Sequence, residues 1–181
     1  MVSAMRKYVI IAAAFTIALL TTLNRAVADV LIAVDERSQT MSVAVDGVEA
    51  YRWKVSTGGA GYDTPTGAFR PFRMERDHFS KEWDDAPMPY SIFFTPNGHA
   101  IHGSLETRRL GRAVSHGCIR LDPRNAAVLY DLVTAEGLGR TQVVVTNGGD
   151  PSLVAEARAP QTLATLIRQG DFAPTLFGQL Y

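Results

Sequence analysis

The sequence predicts a mainly β domain, a β-rich α+β fold with a sandwich or barrel-like sheet and one main helix. Three observations indicate this class. Short runs of β-branched and aromatic residues alternate with polar turns from Val30 to Lys54. Further apolar runs of strand length, PYSIFFT, AIHGS and TQVVVTN, continue to residue 147. The helical spacing that stands out comes directly after residue 122.

The N-terminus carries the pattern of a cleaved signal peptide. Arg6 and Lys7 precede the apolar run YVIIAAAFTIALL, and Ala26-Val27-Ala28 forms a small-x-small cleavage site. The apolar run is shorter than the roughly 20 residues that a spanning helix needs, so we expect residues 1–28 to be removed and no stable membrane span to remain. The 153 residues that follow are enough for one domain with its own core.

Charge argues against a general nucleic-acid-binding protein, and cysteine content excludes a fold held by internal disulfides. The chain has 18 basic and 18 acidic residues, and loss of Arg6, Lys7 and Arg25 with the leader leaves 15 against 18. A net charge of about −3 gives no general attraction to nucleic acid. Cys118 is the single cysteine, so an internal disulfide framework is excluded and the fold depends on its core.

The strands are predicted in order along the chain. Asp46-Gly47 separates two β-rich runs and predicts a tight hairpin, giving three opening strands. The Gly/Pro/Thr-rich loop GGAGYDTPTGAFR leads into another strand, and a Pro96-Asn97-Gly98 turn joins PYSIFFT to AIHGS. TQVVVTN is predicted as the last core strand.

One helix is predicted after the cysteine. Asp122 is a suitable N-cap, Pro123 suits the first helical position and Gly137 can end the helix. The apolar residues that share one face are Ala126, Leu129, Leu132 and Val133. Residues 148–181 follow a NGGDPS break and are predicted as a C-terminal extension, which can pack on the domain, dock on a partner or be partly disordered.

The segment VSHGCIRLD places Cys118 in a polar setting. A lone cysteine is commonly a small buried apolar residue. Here His116 and Arg120, two residues to either side, would project to the same side as Cys118 on an extended segment, and cationic neighbours stabilise a thiolate. The N-terminus of the predicted helix, four residues on, favours the same anion. Cys118 is therefore a candidate nucleophile.

A nucleophilic cysteine needs a base, and the chain has four histidines. His78 lies in the charged stretch MERDHFSKEW and is predicted to be a surface residue. His102 ends an apolar strand beside Gly103, whose main-chain carbonyl can fix the imidazole tautomer. His99 and His102 would project to opposite faces of a strand, so no metal site is predicted.

Three ordered segments together resemble one family. AIHGSLETRRLGRAVSHGCIRLD, residues 100–122, resembles the active-site signature of the L,D-transpeptidase catalytic domain. STGGAGYDTPTGAFR, residues 56–70, resembles the family's Gly/Pro/Thr loop, and APMPYSIFF, residues 86–94, resembles the strand that enters its catalytic region. This resemblance assigns residues 29–147 to the catalytic domain.

The resemblance implies a β-rich enzyme of the bacterial cell wall, located in the periplasm. Cys118 would be the nucleophile and His102 the proton donor and acceptor, with main-chain N–H groups around Gly117 and Cys118 as oxyanion donors. The supporting residues would be Gly103, Ser115, His116, Gly117 and Arg120. Cys118 would release D-alanine from a peptidoglycan tetrapeptide stem and pass the acyl group from a thioester to an amine, with no metal or organic cofactor required.

The acceptor and several substrate contacts stay open. The amine can belong to another stem, giving a 3-3 cross-link, to an envelope protein or to a free D-amino acid. Water as acceptor would make the protein an L,D-carboxypeptidase, and a non-catalytic wall-binding module is the other alternative. The basic loop residues Arg108, Arg109 and Arg112 can hold substrate carboxylates or be a solvated face. Trp83, Met88 and Tyr90 can shape the donor pocket or be core residues.

Overall fold

The computed structural model describes residues 30–148, which form nine strands in two sheets, one α-helix and two short 3₁₀ helices. The predicted leader and the predicted extension beyond Gly148 lie outside these residues. The mainly β class with one helix after the cysteine is confirmed.

The first sheet is built around the two ends of the described chain. Its five strands run in the order β3-β2-β1-β9-β4. They are β1 (Val30–Asp35), β2 (Thr40–Val45), β3 (Val48–Lys54), β4 (Gly67–Phe69) and β9 (Thr141–Thr146). Strands β1 and β9 are parallel, while the other neighbours are antiparallel. The predicted hairpin turn is confirmed, since Asp46 and Gly47 both have positive φ, 50° and 80°.

The second sheet carries the segments that surround the cysteine. Its order is β5-β6-β7-β8. Its strands are β5 (Arg73–Ser80), β6 (Ala86–Phe93), β7 (Ala100–Gly103) and β8 (Ile119–Leu121). Strands β7 and β8 pair in parallel, and the other pairs are antiparallel. Strand β5 was not predicted, because its sequence RMERDHFS is half charged and its side chains are only partly buried.

Helix α1 (Pro123–Glu136) connects β8 to β9 and packs against β6 and β7. The Asp122 carboxylate accepts a hydrogen bond from the Arg124 N–H at 2.9 Å, so the predicted N-cap is confirmed. Gly137 ends the helix with φ of 92°. The inner face of the helix buries Ala126, Leu129 and Val133. No helix within residues 30–148 is long and apolar enough to cross a membrane.

Strand alternation divides the second sheet into a core face and a cavity face. Ile101, Ile119 and Leu121 join β1, β9 and α1 in the main core, where each is at most 1% exposed. Burying such a side chain contributes about 1.5–3 kcal/mol. The residues between them in sequence, including His102 and Arg120, therefore face the other side of the sheet. The core thus fixes which side chains reach the cavity.

Candidate active site

A cavity of about 770 Å³ opens on the face of the second sheet opposite α1. Its walls come from the β5–β6 hairpin, the turn before β7, the loop between β7 and β8, and the segment before β8. The histidines and the cysteine that line it are His78, His99, His102, His116 and Cys118. His78, which was predicted to be a surface residue, is partly exposed and also lines this cavity.

Strand register brings the two predicted catalytic side chains to one face. In the parallel β7–β8 pair, His102 lies opposite Arg120, and Cys118 precedes Arg120 by two residues. Cys118 itself lies in the bend that leads into β8, one residue before the strand begins. Both side chains line the same cavity.

His102 is held as a neutral base. It is 6% exposed, and its Nδ1 hydrogen bonds to the Gly103 carbonyl oxygen at 2.7 Å. A carbonyl only accepts, so Nδ1 carries the proton and Nε2 keeps its lone pair. Burial lowers the pKa of His102 to about 4, because the imidazolium is desolvated and the Gly103 carbonyl offsets this only in part. The imidazole can therefore accept a proton at neutral pH.

Cys118 is held as a neutral thiol. Its Sγ lies 3.9 Å from the Gly98 carbonyl oxygen. Burial raises the pKa of the thiol, and this effect is larger than the lowering by a main-chain hydrogen bond at Ala100 and by the charge of Arg120. The resting pair is thus a thiol with an imidazole, whereas the sequence led us to expect a stabilised thiolate. A thiol and a neutral base on one face can attack a carbonyl once the proton is transferred.

The loop before β8 is fixed by its own serine and glycine. Ser115 Oγ donates to the Cys118 carbonyl at 2.5 Å and accepts from the Gly117 N–H at 3.1 Å. The Gly117 N–H is consequently engaged within the loop, which is at odds with its predicted part as an oxyanion donor. Gly117 has φ of 107°, and a Cβ there would come within 3.1 Å of the His99 ring. A glycine is required at this position for both reasons.

The Gly/Pro/Thr loop, residues 56–70, docks on this segment. Main-chain hydrogen bonds join Ser56 to Arg120 in both directions, at 3.0 and 2.9 Å, and link Ser115 to Thr57. The buried Thr64 hydroxyl donates to the Gly117 carbonyl at 2.8 Å and accepts from the Gly58 N–H at 2.9 Å. Sequence reasoning did not single out Thr64, because its partner lies 53 positions away.

An ion-pair cluster lies beside His102. Arg120 donates to a Glu106 carboxylate oxygen at 2.7 Å, and Arg109 lies 3.6 Å from the same oxygen. All three line the cavity. Arg108 and Arg112 are not among its lining residues, so of the predicted basic triple only Arg109 reaches it. The two others are exposed on the loop, which is the solvated-face alternative.

Aromatic residues close the opposite wall. Trp83, from the β5–β6 turn, stacks on His116 with ring centroids 3.6 Å apart and planes 9° apart. Tyr62 meets both rings edge-on. Trp83 and Met88 line the cavity, so the predicted role in the donor pocket stays a prediction for both. His116 also lines the cavity and is held by this stack.

Tyr90 does not line the cavity and packs against the core, which is the second of the two alternatives that the sequence left open. Its ring packs edge-on against Tyr130 of α1 and against the main core. Simple alternation would put Tyr90 and Met88 on one face. Tyr90 has a left-handed φ of 59°, which interrupts the alternation and leaves Met88 on the cavity side.

The two remaining histidines have side-chain partners. His78 Nδ1 lies 2.6 Å from a Glu75 oxygen, and the ring meets Phe93 edge-on. His99 Nδ1 hydrogen bonds to Thr95 Oγ1 at 2.8 Å. Within residues 30–148, no three His, Cys, Asp or Glu side chains are grouped so that they could hold a metal ion.

Comparison with known proteins points to one family. Residues 29–145 match the L,D-transpeptidase catalytic domain. Similar solved structures include an L,D-transpeptidase from Mycobacterium smegmatis, 27% identical over 65% of this chain and 58% of that one, with a TM-score of 0.60. An L,D-transpeptidase from Stackebrandtia nassauensis is 31% identical over 67% of this chain and 57% of that one, with a TM-score of 0.59.

A third similar structure contains a bound compound. It is L,D-transpeptidase 3 from Mycobacterium tuberculosis in complex with a faropenem-derived adduct, 25% identical over 66% of this chain and 60% of that one, with a TM-score of 0.58. The chain spans less than two thirds of the length of these structures. No curated protein matches it.

Proposed function

Because this chain belongs to the family of L,D-transpeptidase catalytic domains, we propose that it is a cysteine-dependent L,D-transpeptidase that acts on peptidoglycan tetrapeptide stems. The observation that carries the proposal is the pairing of a buried neutral imidazole, His102, with the thiol of Cys118 on one face of a cavity. A thiol nucleophile with an adjacent base is the arrangement that acyl transfer needs.

The first half-reaction is acylation of the enzyme. His102 Nε2 accepts the Cys118 proton as Sγ attacks the carbonyl between the diaminopimelate L-centre and D-alanine. The tetrahedral intermediate collapses when the C–N bond breaks, and the proton on His102 passes to the departing D-alanine amine. A thioester on Cys118 remains, and His102 is neutral again.

The second half-reaction transfers the acyl group. An acceptor amine attacks the thioester carbonyl and gives a proton to His102, and the Cys118–carbonyl bond breaks. The proton returns to the sulfur, so the enzyme ends as it began. In our proposal the amine belongs to a second stem, giving a 3-3 cross-link, or to an envelope protein.

Charges near the site favour anionic stems. Arg109, Arg120 and Glu106 together carry one net positive charge on the wall beside His102. Glu106 holds Arg120, whose side chain is 16% exposed, and leaves its other N–H groups to meet a substrate carboxylate. The aromatic stack of Tyr62, Trp83 and His116 would form the apolar wall of the donor pocket.

The substrate also suggests where the protein works. Peptidoglycan stems lie outside the cytoplasmic membrane, and residues 1–28 have the sequence pattern that is typical of a signal peptide. We propose a periplasmic enzyme, with residues 29–147 as the catalytic domain and residues 148–181 as an extension. The N-terminal sequence of the protein recovered from periplasm should begin at Asp29, and a chain that retains Met1 would contradict this.

The function is tested by intact-mass analysis of residues 29–181 incubated with a disaccharide-tetrapeptide. We expect an adduct on Cys118 equal to the stem without D-alanine, and then a 3-3 dimer. An adduct that resolves only when an envelope protein is added would identify protein attachment. Trimmed monomer alone would identify an L,D-carboxypeptidase.

Two controls make the test specific. Cys118→Ala should form no adduct while keeping its unfolding transition, and retained activity in this variant would remove the nucleophile from the proposal. Faropenem provides an independent acylating probe, since a similar structure carries a faropenem-derived adduct. A reduced wild-type thiol that neither probe acylates would favour a non-catalytic wall-binding module.

A further inference from the structure

We propose that Thr64 is a positioning residue that orients the Gly117–Cys118 peptide, so that the Cys118 N–H donates to the oxyanion formed during acyl transfer. This inference rests on the function proposed above. It assigns a role to a side chain of the Gly/Pro/Thr loop that lies behind the nucleophile and outside the cavity lining.

The Thr64 hydroxyl is held in one direction. The residue is 4% exposed, and its Oγ1 accepts a hydrogen bond from the Gly58 N–H at 2.9 Å. Its single proton is then directed to the Gly117 carbonyl oxygen at 2.8 Å. A buried hydroxyl with both a donor and an acceptor partner has little freedom to turn.

Fixing this carbonyl also fixes the next N–H. The peptide unit is planar and trans, so the Gly117 C=O and the Cys118 N–H point in opposite directions. With the carbonyl directed at Thr64, the Cys118 N–H points away from Thr64. In this proposal that direction is the side of the thiol that lines the cavity. A carbonyl that Sγ attacks would place its developing negative charge close to this donor.

The serine of the loop does not fix the same unit. Ser115 Oγ bonds to the Cys118 carbonyl and the Gly117 N–H, which belong to the peptides on either side. Gly117 has no Cβ and a positive φ of 107°, so its backbone has a wider range of conformations than other residues have. The Gly117–Cys118 unit can therefore rotate unless Thr64 holds it.

The role can be separated from general support by comparing two reactions of Cys118. Iodoacetamide forms an S–C bond by displacing iodide from a saturated carbon, and the thiol proton leaves to the base or solvent, so no oxyanion forms. Acylation by faropenem or by the tetrapeptide passes through an oxyanion. A group that orients the oxyanion donor should affect only the second reaction.

Thr64→Val is the test variant, because it keeps the shape of the side chain and removes the hydroxyl. Thr64→Ser, which restores the hydroxyl, is the matched control. We expect Thr64→Val to slow acylation by about 10- to 100-fold, less than the loss of a whole oxyanion donor. Its alkylation rate should stay within about twofold of wild type, and kcat should fall more than KM changes. Thr64→Ser should recover most of the acylation rate.

Two results would overturn the proposal: an equal fall in both rates, which would indicate that Thr64 supports the thiol or the fold, and no fall in either. If Thr64→Val does not unfold cooperatively, Thr64→Ala is measured in the same way and judged by the same ratio of rates. A wild-type enzyme that is alkylated but never acylated would contradict the proposed function. If wild type and Thr64→Val are acylated at the same rate, only the role of Thr64 is contradicted.

Discussion

His102 and Cys118 line one cavity, and both are uncharged, which sets the pH range in which the site can work. Burial raises the pKa of the thiol and lowers that of the imidazole to about 4. The proton must therefore move from the Cys118 sulfur to the His102 nitrogen as the substrate binds and displaces water. The two residues do not form a thiolate–imidazolium ion pair before the substrate binds. The neutral pair itself has no charge that must be desolvated when an apolar part of the substrate covers it.

The pH profile of kcat/KM should reflect this state. Activity needs His102 neutral, so we expect activity to fall only as the pH drops through about 4, not through the usual imidazole value near 6.5. Steady-state rates from pH 3.5 to 9 would check this. An acidic limb centred near 6.5 would show that the imidazole is solvated in the free enzyme.

The same burial links pH to stability. In the unfolded chain His102 takes up a proton near pH 6.5, whereas in the folded protein it does so only near pH 4. The contribution of His102 to the free energy of unfolding is therefore complete above pH 6.5 and is lost as the pH falls from 6.5 toward 4. At pH 5 the loss is about 2 kcal/mol of unfolding free energy. Urea unfolding at pH 7.5 and pH 5 should show a drop smaller by about this amount in His102→Gln than in wild type. Equal drops in the two proteins would contradict the lowered pKa.

At the scale of elements, the β7–β8 loop has a cavity side and a solvent side. Arg109 lines the cavity beside Glu106, while Arg112 does not. Arg109→Ala should raise KM for the anionic stem about threefold to tenfold, since a partly exposed charge contact is worth about 1 kcal/mol. Arg112→Ala is the matched control and should leave KM unchanged. Equal effects of the two changes would show that only the general charge of the loop matters.

Helix α1 depends on its N-cap residue, Asp122. Asp122→Ala removes the acceptor of the Arg124 N–H and should lower the unfolding free energy by about 1 kcal/mol. Asp122→Asn keeps an acceptor oxygen and should cost less, which denaturant midpoints would show. Because β8 leads directly into this cap, a larger loss that is accompanied by slower acylation would mean that the helix start also holds the catalytic loop.

Elements with strong local signals could be predicted from the sequence. The Asp46-Gly47 hairpin and the Asp122–Gly137 helix follow from local turn and capping chemistry, and both are confirmed. Strand β5 could not be predicted, since its residues are charged and find their partners only in β6. For the same reason the sequence could not predict the roles of Thr64 and Glu106 or the face of the sheet on which Tyr90 lies. Their contacts cross the fold, or depend on one left-handed residue.

At the scale of the whole molecule, the two sheets and α1 share one core. Residues from β1, β2 and β9 pack with Ile92, Ile101, Ile119 and Leu129 in a single buried cluster. The cavity face of the second sheet is therefore fixed by packing on its other side. The sequence could predict that His102 and Cys118 belong together, but their common face follows from the parallel β7–β8 register, which no local pattern encodes.

The parallel pairing of β1 with β9 also determines when this domain can fold. Strand β1 is made first, and its central place in the sheet is completed only by residues 141–146, more than a hundred positions later. Such long-range closure makes folding slow and all-or-none, because the cost of closing the loop comes before most of the stabilising contacts. A growing chain should therefore stay unfolded until β9 has been made. A chain that stops at residue 140 should show no cooperative transition by circular dichroism, while one that stops at residue 148 should.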